Sequence, residues 1–264
     1  MSEILNVSGL RKTYTTRLGG QQVQALRGID FTVSEGEFAA IMGESGSGKT
    51  TLLNILAALD TPTAGTVSLD GKDMAVVQEK EKAAFRRDHL GFVFQDFSLL
   101  DTFTVRDNIL LPLVLQDRPV KEMESRLKPL IEKLGLQGLE RKYPWEISGG
   151  QKQRTCVARA LITEPRLLLA DEPTGALDSK AASSLMALFG DVNRRGQTII
   201  MVTHSAQAAS YAGRVLFIKD GQVYHQLNRG GEDRDVFRQK IMEAMTLMCV
   251  GPGEGEYEIG GEDA

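Results

Sequence analysis

The stretch Gly43-Glu44-Ser45-Gly46-Ser47-Gly48-Lys49-Thr50 decides the fold of this 264-residue chain. It matches the pattern G-x-x-x-x-G-K-[ST], in which the glycines allow backbone N–H groups to turn inward around phosphate oxygens. An apolar run, Phe38 to Met42, precedes it, and helical spacing follows from Lys49 to Leu59. A buried strand, a glycine loop and a helix in this order predict a phosphate-binding loop in an α/β protein. We expect Lys49 to reach the β- and γ-phosphates of a nucleotide and Thr50 to ligate Mg²⁺.

The rest of the chain predicts an α/β core with two additions. Alternating apolar residues near the N-terminus indicate an antiparallel β subdomain, and the middle of the chain, about residues 96–158, has helical spacing with few strand signals. Asp220-Gly221 lies between two short apolar runs and predicts a β-hairpin. The remaining apolar runs that predict strands of the core are Leu90 to Phe94, Leu167 to Ala170 and Thr198 to Val202.

The domain that these elements form is expected to span residues 3–227. A helical extension follows over residues 228–250, in which Phe237, Ile241, Met245 and Met248 share one helix face. That face packs either on the chain's own core or on a second copy or partner. The last segment, residues 251–264, is rich in Gly and Glu without Lys or Arg, and is expected to be disordered.

Composition narrows the possible functions. The formal net charge is -4 and the sequence pI is about 5.6, which argues against a nucleic-acid binder. The two cysteines, Cys156 and Cys249, are far apart and suggest no disulfide framework. We see no signal peptide and no apolar run near the ~20 residues that span a bilayer. A role at a membrane would therefore require a membrane-embedded partner.

A second candidate site follows the apolar run Leu167 to Ala170. The strand would carry Asp171 and Glu172 to its carboxyl end, where α/β sheets bind ligands. We expect Asp171 to hold Mg²⁺ through water and Glu172 to polarise the water that attacks the phosphate. A positioned base of this kind contributes roughly 10²- to 10⁴-fold to a rate.

A third motif is Ile147-Ser148-Gly149-Gly150-Gln151, at the start of a predicted helix over Gln151 to Thr163. By the physics of helix N-termini it is a second anion site. It resembles the signature of ATP-binding cassette (ABC) ATPases, usually Leu-Ser-Gly-Gly-Gln, with Ile147 as a conservative departure. The resemblance implies a RecA-like core of the P-loop NTPase class. It also implies a head-to-tail dimer, with ATP between Lys49 of one copy and Ser148 of the other.

The family resemblance covers about residues 3–227 and assigns further residues in order. Tyr14 matches the aromatic residue that stacks on adenine, Gln95 the glutamine that senses Mg²⁺ and the attacking water, and His204 the histidine that contacts the γ-phosphate. Gly175-Ala176-Leu177-Asp178 resembles the loop that passes between subunits, whereas we interpret His89 and His225 as structural. The resemblance thus implies Lys49, Glu172, Gln95 and His204 as catalytic residues and Thr50, Gln95 and Asp171 as metal ligands. The residues implied in ATP binding are Tyr14, Gly43, Glu44, Ser45, Gly46, Ser47, Gly48, Lys49, Thr50, Thr51, Ser148, Gly149, Gly150, Gln151 and Asp178.

Several stretches, among them His89 to Asp96 and Gly213 to Gly221, resemble the bacitracin-resistance (Bce-type) ATPases within the lipoprotein-releasing and macrolide-export group. This implies a cytoplasmic subunit, peripheral on the inner face of the cell membrane, with two copies on one integral permease and resistance to antimicrobial peptides. A sensor kinase acting through the permease is a further candidate partner.

Phe97, Leu99, Leu100 and Asp101 follow Gln95 and suit a groove for a partner helix. The alternative is that Phe97, Leu99 and Leu100 pack inside the helical subdomain, as we expect for Val105 and Ile109.

One alternative function has the same ATP chemistry: a non-transport ATPase that regulates a cell-wall or division complex. A third class, the DNA-repair and translation ATPases, is disfavoured by the net charge and by the single phosphate loop and signature.

Overall fold

A computed structural model of the chain describes residues 2–15, 20, 22–74 and 77–249. The predicted disordered tail, residues 251–264, lies outside the described residues. In chain order the elements are β1 (Glu3–Thr15), β2 (Gln22–Ser34), β3 (Phe38–Met42), α1 (Lys49–Leu56), β4 (Ala64–Leu69), β5 (Lys72–Asp73), α2 (Glu79–His89), β6 (Leu90–Val93), α3 (Val105–Val114), α4 (Val120–Leu134), α5 (Gly149–Leu161), β7 (Leu167–Asp171), α6 (Ser179–Arg194), β8 (Thr198–Val202), α7 (Ala206–Ala209), β9 (Arg214–Lys219), β10 (Gln222–Asn228) and α8 (Arg234–Cys249).

The central sheet has six strands in the order β10-β9-β3-β8-β7-β6. All neighbours in it are parallel except β9 and β10, which form the hairpin predicted at Asp220-Gly221. Both turn residues have positive φ, 50° and 75°, as such two-residue turns require. The strands β3 and β8 are buried at every position, because helices cover both faces of the sheet. The carboxyl ends of β3, β7 and β8 therefore meet at one edge, where the predicted site residues follow them.

The N-terminal strands form a separate antiparallel sheet in the order β2-β1-β4-β5. Together with α1 and one face of the central sheet it encloses one apolar core, which includes Leu5, Leu26 and Leu53. The strand β2 is continuous, although alternation in the sequence divides it into two runs, Gln22 to Ile29 and Phe31 to Val33. Its apolar alternation is offset where the register with β1 shifts near Gly28, which has φ 104°.

The second core joins the helical subdomain to the other face of the central sheet. Val105 and Ile109 are fully buried in it, as expected. Phe97 and Leu99 are partly buried against the same core, whereas Leu100 is 44% exposed. The proposed partner surface after Gln95 is thus divided: Phe97 and Leu99 pack inward, and Leu100 remains accessible.

The C-terminal helix α8 also belongs to this second core. Phe237 and Ile241 are fully buried, Met248 is nearly so, and Met245 packs at the margin. The ammonium of Lys219, at the end of β9, donates to the carbonyl oxygen of Met248 at 2.6 Å. The predicted helix face therefore packs on the chain's own core.

Candidate nucleotide site

The predicted phosphate-binding loop joins the end of β3 to the first turn of α1. Gly43 lies against β9, so that a Cβ atom on it would stand 2.2 Å from the carbonyl oxygen of Ile218. Gly48 has φ 103°, and a Cβ atom there would stand 2.5 Å from the carbonyl oxygen of Ala25. Both glycines are therefore required by the packing of the loop against β2 and β9, in addition to any phosphate contact.

Lys49 lies over this loop. Its Nζ donates to the carbonyl oxygens of Gly43 at 2.9 Å and Glu44 at 2.7 Å. Burial lowers the pKa of Lys49, while the negative charges of Glu172, Asp171 and Glu44 act in the opposite direction. The ammonium group thus lies among oxygen acceptors that phosphate oxygens can replace, next to the acidic pair at the end of β7.

The hydroxyl of Ser47 supports an anion ligand at the loop. Its Oγ is buried and has no hydrogen-bond partner among the described residues. A buried hydroxyl without a partner costs free energy, which a ligand with acceptor oxygens would recover. The unpaired hydroxyl of Ser47 is therefore consistent with a phosphate group bound in the loop from Gly43 to Gly48.

Asp171 is the last residue of β7, Glu172 follows it, and both lie beside Lys49. Burial raises the pKa of Asp171, the charge of Glu172 raises it further, and Lys49 lowers it. Two neighbouring carboxylates with one ammonium leave excess negative charge in a partly buried place, which a divalent cation would offset. The oxygen donors of Thr50, Gln95 and Asp171 are of the hard type that Mg²⁺ prefers. Within the described ranges no group of three or more His, Cys, Asp or Glu side chains could hold a metal, so a Mg²⁺ site here would need these mixed donors.

Glu172 has an unusual backbone and a fixed side chain. Its φ is 44°, and its N–H donates to the carbonyl oxygen of Val202 at 2.9 Å. One carboxylate oxygen lies 2.8 Å from Nδ1 of His204, and the other accepts from the His204 backbone N–H at 3.3 Å. The turn after β7 and the turn after β8 are thus joined at Glu172 and His204, two of the four residues that the family resemblance assigns to catalysis. A non-glycine residue at positive φ is costly, and such strain is most common at functional sites.

Gln95 lies two residues beyond β6, beside the loop Gly175 to Asp178. A Cβ atom on Gly175 would stand 3.0 Å from the Nε2 of Gln95, so a larger residue there would press on the glutamine. Asp178 accepts from the N–H of Ala181 at 2.8 Å and caps α6. Its carboxylate therefore has a local structural role, beside which the predicted nucleotide contact stays a prediction.

Tyr14 is held by two residues that our sequence reasoning missed. Its hydroxyl donates to Asp60 at 2.7 Å, and Lys12 pairs with the same carboxylate at 2.5 Å while its Nζ lies 4.8 Å from the Tyr14 ring centroid. Burial raises the pKa of Tyr14, the hydrogen bond to Asp60 raises it further, and a hydrogen bond to Thr51 lowers it. The ring is thus fixed beside the phosphate loop and is 42% exposed, as a base-stacking platform must be. Nothing in the sequence indicated that Asp60, which follows α1, would contact Lys12 and Tyr14.

The helix α5 begins at Gly149, within the signature and two residues earlier than predicted. The Oγ of Ser148 accepts from the N–H of Gln151, and the Gln151 side chain accepts from the N–H of Ser148 at 2.9 Å. A Cβ atom on Gly149 would contact Leu177, and one on Gly150 would contact Ala181. In the described part of the chain, no hydrogen bond joins this signature to the phosphate loop, so one copy does not bring the two predicted phosphate contacts together.

Gln153 is a further residue that sequence reasoning missed. It is fully buried, and its Nε2 donates to the carbonyl oxygens of Pro173 at 2.8 Å and Phe94 at 3.3 Å. It therefore links α5 to the segments that carry Glu172 and Gln95. A glutamine within a helix otherwise looks like a surface residue, so the sequence offered no signal for this role.

Residues 26–175 match the family described as "ABC transporter". The chain is 50% identical over 246 residues to the "Bacitracin export ATP-binding protein BceA" of Halalkalibacterium halodurans, covering 93% of this chain and 96% of that protein. It is 42% identical over 223 residues to the "Macrolide export ATP-binding/permease protein MacB" of Shigella flexneri, covering 84% of this chain and 34% of that longer protein.

A solved structure of a dimeric post-hydrolysis state of the ATP-binding cassette MJ0796, bound to ADP and Pi, is also similar. It has a TM-score of 0.78 and 37% sequence identity over 86% of this chain and the whole of that one. No helix among the described residues is both long and apolar enough to cross a membrane. These likenesses confirm the α/β ABC ATPase fold and the resemblance to the bacitracin-resistance group. The chain therefore belongs to the ABC transporter family, as an ATP-hydrolysing, ATP-binding subunit.

Proposed function

We propose that two copies of this chain hydrolyse Mg²⁺-ATP in a head-to-tail dimer and drive a membrane permease that confers resistance to bacitracin-like peptides. The separation of the signature from the phosphate loop supports the dimer, because both are helix N-termini suited to one γ-phosphate. The dimeric cassette that is similar in structure supports it too. The observation that carries the peptide-resistance assignment is the 50% identity to a bacitracin export subunit over nearly the whole of both chains.

In this proposal each site residue has a physical role. Lys49 and the N–H groups of its loop bind the β- and γ-phosphates, and Ser148 of the second copy donates to the γ-phosphate from the other side. Tyr14 stacks on adenine. Mg²⁺, held by Thr50, Gln95 and Asp171, would neutralise charge on the phosphate oxygens.

Glu172 accepts the proton of the attacking water in the hydrolytic step. Its carboxylate already has a fixed orientation, because His204 holds both oxygens. His204 is well placed for a second task at the γ-phosphate, since 72% of its side chain is exposed. His204 can therefore orient the Glu172 carboxylate and contact the γ-phosphate at the same time.

The permease and the cell membrane enter as proposals from the same relative. A chain that works on the inner face of the membrane needs a docking surface, and Leu100 is its accessible apolar residue just after Gln95. A sensor kinase would reach this subunit only through the permease.

The experiment is isolation of the tagged chain from detergent-solubilised membranes of its native host, with mass spectrometry of the proteins that accompany it. We expect a large permease in stoichiometric amount, and a host lacking this chain should become more sensitive to bacitracin. Wild-type chain should restore resistance, whereas the matched Glu172→Gln chain should restore the complex but not the resistance. A small membrane protein together with a cell-wall hydrolase would instead support the regulatory alternative and exclude transport.

A further inference from the structure

The signature helix α5 contacts two segments that carry predicted catalytic residues through the side-chain amide of Gln153. This residue lies in the second turn of the helix and is fully buried. Its Nε2 donates to the carbonyl oxygen of Pro173 at 2.8 Å and to that of Phe94 at 3.3 Å. Pro173 directly follows Glu172, and Phe94 directly precedes Gln95. One amide therefore holds the backbone beside two residues that the family resemblance assigns to catalysis.

The turn at Glu172 has a strained backbone. Glu172 has φ 44°, a costly value for a residue with a side chain, and it precedes a proline, where extended backbone is favoured. Its N–H donates to the carbonyl oxygen of Val202, and its carbonyl oxygen accepts from the N–H of Gly175, both at 2.9 Å. The bond from Gln153 to Pro173 adds a restraint on this turn that comes from the signature helix.

The oxygen of the Gln153 amide is unpaired. Its Oε1 is buried and accepts no hydrogen bond from the residues that the structure describes. A buried acceptor without a partner costs free energy relative to an apolar side chain of similar shape. Packing alone would therefore favour a residue such as methionine at this position. What methionine could not supply is the pair of hydrogen bonds to the two turns, and such departures from the best packing are expected at functional positions.

We propose that Gln153 is a positioning residue, through which the signature helix sets the orientation of the Glu172 turn. The inference rests on the proposed function, in which Glu172 is the general base and the signature of each copy contacts the ATP of the other. Ser148 begins the helix, and Gln153 lies roughly 7 Å further along its axis. A shift of the helix on contact with the second copy's ATP moves Gln153, and with it the turn that carries Glu172. Hydrolysis in one copy thus depends on the nucleotide bound to the other, by a route within a single chain.

The first experiment asks whether Gln153 acts through Glu172. Gln153→Met keeps the length of the side chain and removes its N–H donors, so kcat should fall about three- to tenfold, the range for one lost hydrogen bond. KM for ATP should change little, because the phosphate loop is untouched. In the Glu172→Gln background the same substitution should lower the residual rate by less than about twofold, because no base remains to be positioned. A loss by the same factor in both backgrounds would mean that Gln153 supports only the fold, and would overturn the inference.

Thr155→Val is the matched control. Thr155 is fully buried in the same helix, and its hydroxyl donates to the carbonyl oxygen of Gln151 at 2.9 Å, within α5. The variant removes a buried polar group without touching either turn, so its kcat should stay within about twofold of wild type. Calorimetry of each variant shows whether it is folded at the assay temperature. Gln153→Leu takes the place of Gln153→Met if the latter is unfolded there.

Mixed dimers, isolated through two different affinity tags, test the route between the two ATP sites. One copy carries Glu172→Gln and is inactive, while the other reports the rate at saturating Mg²⁺-ATP. Ser148→Gly in the reporting copy removes its contact with the inactive copy's ATP, and glycine is nearly as good as serine at a helix N-cap. The rate should fall at least about threefold, although the active site itself is complete.

With Gln153→Met also in the reporting copy, Ser148→Gly should have no further effect on the rate. An unchanged rate in Ser148→Gly alone, or the same loss with and without Gln153→Met, would overturn this inference and leave the proposed function intact. A dimer with Glu172→Gln in both copies that hydrolyses ATP at the wild-type rate would overturn the proposed function itself.

Discussion

Glu172→Gln tests the proposed chemistry most directly, because it removes the proton acceptor and keeps the shape of the side chain. The Glu172 side chain is 15% exposed, and its carboxylate is held by His204 Nδ1 at 2.8 Å and by the His204 backbone N–H at 3.3 Å. A glutamine retains one accepting oxygen toward His204 but takes no proton from water. We therefore expect the variant to fold and to bind ATP, and to hydrolyse it very slowly.

The expected loss of kcat in Glu172→Gln follows from the role of Glu172 as the general base. A positioned general base contributes roughly 10²- to 10⁴-fold to a rate, which is about 3–5 kcal/mol of transition-state stabilisation. KM for ATP should change much less than kcat, because Lys49 and its loop are untouched. Phosphate release by the purified subunit gives both constants. Light scattering after size exclusion in Mg²⁺-ATP should show a dimer that accumulates, because hydrolysis no longer ends the bound state.

The control is a glutamate outside the site. Glu164 has a 77% exposed side chain and pairs with Arg126, so Glu164→Gln should hydrolyse ATP at the wild-type rate. If Glu172→Gln also kept kcat within about threefold of wild type, less than 1 kcal/mol would be missing from the barrier and Glu172 could not be the base.

Three further predictions concern neighbouring groups. Lys49→Ala should lower kcat/KM for ATP hydrolysis about 10- to 100-fold, because a hydrogen bond from a charged group is worth roughly 1.5–3 kcal/mol. An unchanged circular dichroism spectrum would show that the variant is folded. Asp171→Asn should raise the unfolding temperature of the nucleotide-free subunit at pH 7. The folded-state pKa of Asp171 is raised, so its charged carboxylate lowers the stability of the folded protein above that pKa. Below about pH 4 the carboxyl is protonated in both the folded and the unfolded state, and the difference in unfolding temperature between variant and wild type should disappear. Cys156 should resist thiol reagents at pH 8 in a Cys249→Ser background until the protein unfolds, because burial raises its pKa to about 12; rapid labelling of the native protein would contradict this.

Much of the fold was predictable because its signals are local. The predicted apolar runs Phe38 to Met42 and Thr198 to Val202 have the same first and last residues as β3 and β8. Asp220-Gly221 correctly predicted the hairpin between β9 and β10. The ends of helices were less accurate: α1 stops at Leu56 and not at Leu59, since Ala58 has φ 52° and leaves the helical region. A non-glycine residue adopts positive φ only where tertiary packing holds it there, so the sequence pattern around Ala58 does not predict this helix end.

The residues of the candidate site could be named from the sequence, but their arrangement could not be predicted. Motif order gave Glu172 and His204, whereas their direct contact depends on which strands are neighbours in the sheet. The pairing of Tyr14 with Asp60 and the buried bridge made by Gln153 join segments that are 46 residues apart and, for Gln153 and Phe94, 59 residues apart. Such long-range contacts leave no periodic trace in the sequence, so they had to be found in three dimensions.

The burial of α8 has a practical consequence for anyone who expresses this protein. The family pattern ends at residue 175, and the last strand of the sheet ends at Asn228, so a truncation after β10 would look complete. It would nevertheless remove Phe237, Ile241 and Met248, each of which contributes roughly 1.5–3 kcal/mol on full burial. That sum is comparable to the 5–15 kcal/mol that holds an ordinary domain folded. A chain that ends after β10 would expose to water the apolar surface that α8 covers. We expect such a chain to be insoluble for that reason, whatever the state of its nucleotide site.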